Sequence, residues 1–220
     1  ELDSKDRSFF VVQDFIKPEL ANSNLPANDK KNDSFGIIWD ASLSRESIDK
    51  TSEYTLVKLL TDRLMQQQNR KAAVHVTVSL IRYRLEEPKS FMLSDEKSQC
   101  ALLDYLKAIE YDGGTSLSSI AQFFNDKTAQ LPYCLLFTDG FSNCGPESVD
   151  TSAVKCPVYT FGTSNKVNSS LLGLVSQNSG GQYFNMLNCS DKAVELTASK
   201  IGEQIFSFLY AETSEKELLV

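Results

Sequence analysis

The chain is apolar without a break through Phe35, Gly36, Ile37, Ile38 and Trp39, and turns polar at Asp40. A strand buried on both faces has this pattern, as in parallel sheets covered by helices. Ile48, Val57, Leu60 and Leu64 follow at helical spacing. They predict a long amphipathic helix with Ser44 as N-cap, Glu46 at the positive end of its dipole and an end near Asn69. Val74, Val76, Val78 and Leu80 alternate with His75, Thr77 and Ser79 and predict a strand over 73–80, in which His75, with no acid or cysteine beside it, is an ordinary strand residue. Glu86-Glu87-Pro88 reads as a turn into a short antiparallel edge strand over 89–93, and Leu102, Leu103, Leu106 and Ile109 as the next helix.

Leu117, Ile120, Ala121 and Phe124 form one helical face, with Thr115 at its N-terminal end. Leu135-Leu136-Phe137 is a second apolar strand that ends in an acid, Asp139. A polar loop over 141–155 leads to a strand over 157–161. Leu171, Leu172 and Val175 suggest a short helix, Gly180-Gly181 a turn, Gln182-Tyr183-Phe184 a last strand, and Val194, Ile201, Ile205 and Leu209 a closing helix over 192–211. Upstream, 1–33 holds one short strand over 8–12 and then a polar segment with Pro18 and Pro26 that reads as linker. Strands alternating with helices predict an α/β domain over 34–211 with a mostly parallel, helix-covered sheet, followed by an acidic tail over 212–220.

Composition narrows the function classes. With 220 residues and 41% hydrophobic residues the chain can build a full core. A net charge of −7 and a pI near 4.9 argue against nucleic acid, whose phosphates demand a basic surface. No apolar run approaches the roughly 18 residues of a membrane helix, and without an initiating Met or a signal peptide the chain reads as part of a longer protein. Five cysteines without a C-x-x-C pair disfavour a disulfide framework and a zinc site. Cys134 is expected to be a buried strand thiol, and a pairing of Cys144 with Cys156 stays open.

The chemistry gathers at strand ends. Asp40, Ser42 and Ser44 follow the first strand, Thr115 follows the turn Asp112-Gly113-Gly114, and Asp139 ends the second apolar strand. Ligands of helix-covered parallel sheets sit just beyond the strands' carboxyl ends. This set, in this order, resembles the metal-ion-dependent adhesion site of von Willebrand factor type A domains, over residues 34–211. The resemblance implies a doubly wound, six-stranded sheet of order 3-2-1-4-5-6 with one antiparallel edge strand and helices on both faces. It implies Mg²⁺ or Mn²⁺ held by Asp40, Ser42, Ser44, Thr115 and Asp139, and a protein partner that offers an Asp or Glu carboxylate, without enzymatic turnover. Residues 38–45 and 111–115 look most like the type A domains that follow a vault/inter-alpha-trypsin (VIT) domain. That likeness leans toward the cell envelope, whereas unpaired cysteines would suit the cytoplasm.

Each residue has a plainer use. Ser42 and Ser44 can cap the following helix, Asp40 can accept backbone N–H groups, Thr115 can be an N-cap and Asp139-Gly140 an ordinary turn. Five such coincidences on three converging loops favour one joint site. Asp112 and Ser116 are expected to be solvated loop residues, Trp39 a core residue, and Arg45 a solvated arginine. The main rival is a Mg²⁺-dependent phosphatase of the haloacid dehalogenase type. It needs a second acid where Ser42 stands and a lysine at the site. A dinucleotide-binding fold is weaker still, since no G-x-G-x-x-G follows a strand.

Overall fold

The computed structural model describes residues 34–66, 73–125, 131–146, 148–151, 154 and 156–202. The strand over 8–12, the linker and the acidic tail expected from the sequence lie outside the described residues. The apolar run forms strand β1 (Ser34–Asp40), and the alternating segment forms β2 (Val74–Ile81). Between them lie a single 3-10 turn (Leu43–Arg45) and helix α1 (Thr51–Gln66). Then come β3 (Lys89–Leu93), α2 (Glu96–Lys107), a second 3-10 turn (Leu117–Ser119), α3 (Ile120–Asn125), β4 (Cys134–Phe137), β5 (Val158–Gly162), α4 (Ser169–Ser179), β6 (Tyr183–Asn185) and α5 (Asp191–Lys200). The six strands make one sheet of order β3-β2-β1-β4-β5-β6, parallel throughout except for the antiparallel edge strand β3. This is the expected order.

Alternate residues of the strands feed two cores. Phe35, Ile37, Trp39, Val76, Val78, Leu135, Phe137 and Phe161 pack with Leu56 and Leu60 of α1, Leu102 and Leu106 of α2 and Val194 of α5. Ile38, Ile81, Cys134, Leu136 and Val158 face the other way, toward Leu117, Ile120, Phe123 and Val175. Helices therefore cover both faces, and β1, central and paired on both edges, has nothing but buried residues from Phe35 to its end. Trp39 is core, stacked on Tyr54 at 5.7 Å and tilted against Phe137 at 4.9 Å. His75 is a half-buried strand residue opposite Met92.

Several local expectations need correction. The first long helix starts at Thr51, not at Ser44, which lies within the 3-10 turn; just ahead of the helix, Asp49 Oδ1 accepts from the Thr51 N–H at 2.9 Å and from the Thr51 hydroxyl at 2.7 Å. Its expected end near Asn69 lies outside the described residues. The helical face after Thr115 is broken by a 3-10 turn, so Phe123 rather than Phe124 is the more buried ring. The closing helix stops at Lys200; Ile201 is extended, though still buried, and Gly202 takes φ +80°. Ile205 and Leu209 lie outside the described residues. All five cysteines are free thiols, so Cys144 and Cys156 are not paired. Burial pushes the Cys134 thiol well up and that of Cys156 up to about 12, which leaves both inert near neutral pH.

Candidate metal centre

β1 ends the sheet ladder at Asp40, opposite Ile81, and β4 ends at Phe137, opposite Trp39. The chain leaves both strands on the same rim, so the residues just beyond them meet. Asp40 is fully buried. Its Oδ1 accepts from the Ser42 N–H at 3.0 Å, and its Oδ2 from the Thr138 hydroxyl at 2.5 Å. Burial pushes its carboxyl above the ordinary carboxylate value, against the pull of the Arg45 charge and the hydrogen bonds from Ser42 and Thr138.

The two serines turn toward each other and toward the second acid. Their hydroxyl oxygens are 3.1 Å apart, and the Ser44 hydroxyl donates to Asp139 Oδ2 at 2.7 Å. Ser42 occupies the N-cap of the 3-10 turn yet makes no capping hydrogen bond, so its hydroxyl is spent on Ser44. Asp139 also accepts the Phe141 N–H at 3.0 Å, a tight turn that Gly140 completes at φ +78°.

Thr115 arrives on a third loop. The Gly113 carbonyl accepts from Leu43 N–H at 3.2 Å and the Ala41 carbonyl from Asp112 N–H at 3.1 Å, which laces this loop to the one carrying the serines. Asn143 clamps it from the other side: its Oδ1 accepts from Thr115 N–H at 2.7 Å, while the Thr115 carbonyl accepts from Asn143 and Cys144 N–H, each at 3.0 Å. Gly114 permits this contact, since a Cβ there would stand 2.5 Å from Cys144 Sγ and closer still to Asn143 Oδ1. Thr115 is not a helix cap; Ser116 holds that place, and without a side-chain bond. Among the described residues the Thr115 hydroxyl has no hydrogen-bond partner. Ser44, Thr115 and Asp139 line the same open cleft of about 1200 Å³, which continues past Phe141, Lys166 and Leu187.

The structure thus joins Asp40, Ser42, Ser44 and Asp139 in one hydrogen-bonded set and brings Thr115 to the same cleft. The donor set suits a small hard dication: every donor is oxygen, two are carboxylates and three are hydroxyls. Among the described residues no three His, Cys, Asp or Glu side chains gather, so a site of the softer kind has no candidate there. Asp112 is exposed, as expected, and pairs with Arg82 at 2.5 Å. Ser116, expected in solvent, is buried.

Arg45 overturns its expectation most. It is 1% exposed and forms an ion pair with Glu53 at 2.6 Å. Lys50 is buried too, donating to the carbonyls of Arg45 at 2.5 Å and Ile48 at 2.8 Å, with its ammonium 4.1 Å from the Tyr111 ring centroid. Tyr111 in turn accepts from Trp39 Nε1 at 2.9 Å. Sequence reasoning passed over Arg45, Glu53, Thr138 and Asn143 as parts of the site. Thr138, between an apolar strand and its terminal acid, had a positional signal; Glu53 and Asn143 had none.

No family model matches the chain, and no curated protein sequence matches it. Solved structures do resemble it. A von Willebrand factor type A protein from Catenulispora acidiphila superposes with a TM-score of 0.56 at 12% identity, over 78% of this chain and 42% of that one. An aerotolerance-related membrane protein from Bacteroides fragilis gives 0.54 at 15% identity, over 78% and 97%. The PilB minor pilin from Streptococcus sanguinis, in a D319A mutant, gives 0.53 at 12% identity, over 81% and 62%. The chain therefore spans less than half of the first of these proteins and nearly all of the second. With the strand order above, the fold is that of von Willebrand factor type A domains.

Proposed function

We propose that this chain is a metal-dependent protein-binding module that captures a partner's Asp or Glu carboxylate, with Asp40, Ser42, Ser44, Thr115 and Asp139 holding Mg²⁺ or Mn²⁺. The observation that carries this reading is the hydrogen-bonded run from the Ser42 hydroxyl to the Ser44 hydroxyl to the Asp139 carboxylate, beside a cleft that Ser44, Thr115 and Asp139 line. A bound dication would supply an electrophile whose remaining coordination position a partner carboxylate fills. Asp40, both of whose oxygens already accept hydrogen bonds, would support the metal indirectly, through the Ser42 it orients, rather than by direct contact. Ser42 and Ser44 offer neutral oxygens, and the Asn143 clamp holds Thr115 at the cleft wall. The likeness of residues 38–45 and 111–115 to VIT-associated domains supports that sub-family and a place within a longer protein.

A phosphatase reading is weaker on two counts. The acid at the end of β1 is 0% exposed, so it cannot attack a phosphorus centre, and a serine stands where the general acid is needed. Calorimetric titration of the full chain with Mn²⁺ is the test, beside Asp139→Ala. Saturable binding that Asp139→Ala removes is expected; unchanged binding in that variant would place the metal elsewhere. Metal-dependent phosphate release from a generic ester would favour the phosphatase instead.

A further inference from the structure

Arg45 sits immediately after the second serine and has no contact with solvent to speak of. Its Nη2 donates to both oxygens of Glu53 at 2.6 Å, and its Nη1 donates to the carbonyl of Asp40 at 3.1 Å and to that of Phe137 at 2.8 Å. The guanidinium carbon lies 5.3 Å from the Trp39 ring centroid. The Thr163 hydroxyl, just past β5, donates to the same Glu53 carboxylate at 2.6 Å. One side chain thus touches the ends of β1 and β4 and, through Glu53, the first turn of α1 and the end of β5.

The last paired residues of β1 and β4 are Trp39 and Phe137, so the backbone ladder between them stops just before the two site acids. Past that point, three side-chain ties cross the gap: Thr138 to Asp40, Ser44 to Asp139, and Arg45 to the two carbonyls. We propose that Arg45 is a positioning residue for the candidate metal centre, fixing the spacing of the strand ends that carry Asp40 and Asp139 so that the serine hydroxyls meet the second acid. The inference rests on the metal reading above for its purpose, though not for its geometry. The fork of donors matters more than the charge, because two carbonyls and a carboxylate are bound at once, which a single ammonium cannot match.

The competing account is that Arg45 and Glu53 merely fill the space. Replacing a buried ion pair by apolar residues of like volume is often neutral for stability, which separates the two accounts. The test compares the wild-type chain with Arg45→Met/Glu53→Leu and with Arg45→Lys. Three readouts are followed: thermal melting, amide hydrogen exchange and Mn²⁺ titration. The paired variant should melt near wild type and keep slow exchange within β1 and β4. The amides of Ser42 and Phe141, which donate to the two acids, should exchange faster, and Mn²⁺ affinity should fall about 10–100-fold, as when residues supporting a metal's ligands are lost. Wild-type protection at both amides would overturn the proposal. Lost protection in a protein whose wild type takes up no Mn²⁺ would sink the metal reading and leave the positioning role standing. Should the paired variant not fold, Arg45→Lys, which keeps charge but not the fork, decides by the same two amides.

Discussion

At the residue scale the site is built from side chains that have given up their ordinary jobs. Ser42 stands at a cap position without capping, and Thr115 stands before a turn that Ser116 caps in name only. Thr115 is held by its backbone through Asn143, so its hydroxyl carries no structural hydrogen bond. Thr115→Ala should therefore leave circular dichroism unchanged and the melting temperature within a few degrees of wild type, since no cap worth about 1 kcal/mol is lost. Carboxylate-ligand binding in Mg²⁺ should disappear. A variant that binds such a ligand as tightly as wild type would make the threonine a bystander.

At the element scale, helix starts carry chemistry that can be tested apart from the site. Asp95 caps α2 in a reciprocal box: its carboxylate accepts from Ser98 N–H at 2.8 Å, and the Ser98 hydroxyl accepts from Asp95 N–H at 3.1 Å. Hydrogen bonds from the Ser98 side chain and backbone hold the Asp95 carboxyl below its ordinary value. A carboxyl depressed in the folded state stabilises above its unfolded pKa, about 3.9, and loses that contribution as pH falls through the folded value. Asp95→Ala should accordingly melt below wild type at pH 7, and the gap should close in acid below that range. A gap independent of pH would mean that the carboxylate's charge is not what caps the helix.

At the scale of the whole molecule, three loops from separate parts of the chain share one cleft, so occupancy there should be felt globally. Anything that binds only the folded state stabilises it by mass action, by about 2.7 kcal/mol at a hundred times its dissociation constant. Excess Mn²⁺ should raise the melting temperature, a chelator should reverse the rise, and Asp139→Ala should be insensitive to both. A melting curve that ignores Mn²⁺ in the wild type would argue against a folded-state metal site.

The identity of the strands was legible in the sequence because its signals are local, whereas their order in the sheet was expected only from the family resemblance. An apolar run such as Phe35 to Trp39 declares a two-sided buried strand, and alternation from Val74 to Leu80 declares a face. The acids at strand ends were legible for the same reason: each is one or two residues from its apolar strand. Helix starts were less so, since Ser44 is a good cap by type yet lies within a 3-10 turn, and the long helix begins only at Thr51. What tertiary structure alone decided is the fate of Arg45. Its partners Glu53 and Phe137 lie 8 and 92 residues away, the latter across a sheet, and no short-range pattern encodes a contact between them. An arginine beside polar residues looks solvated until the ends of two strands and a helix close around it, because burial is a property of what surrounds a side chain rather than of its own neighbours in the sequence.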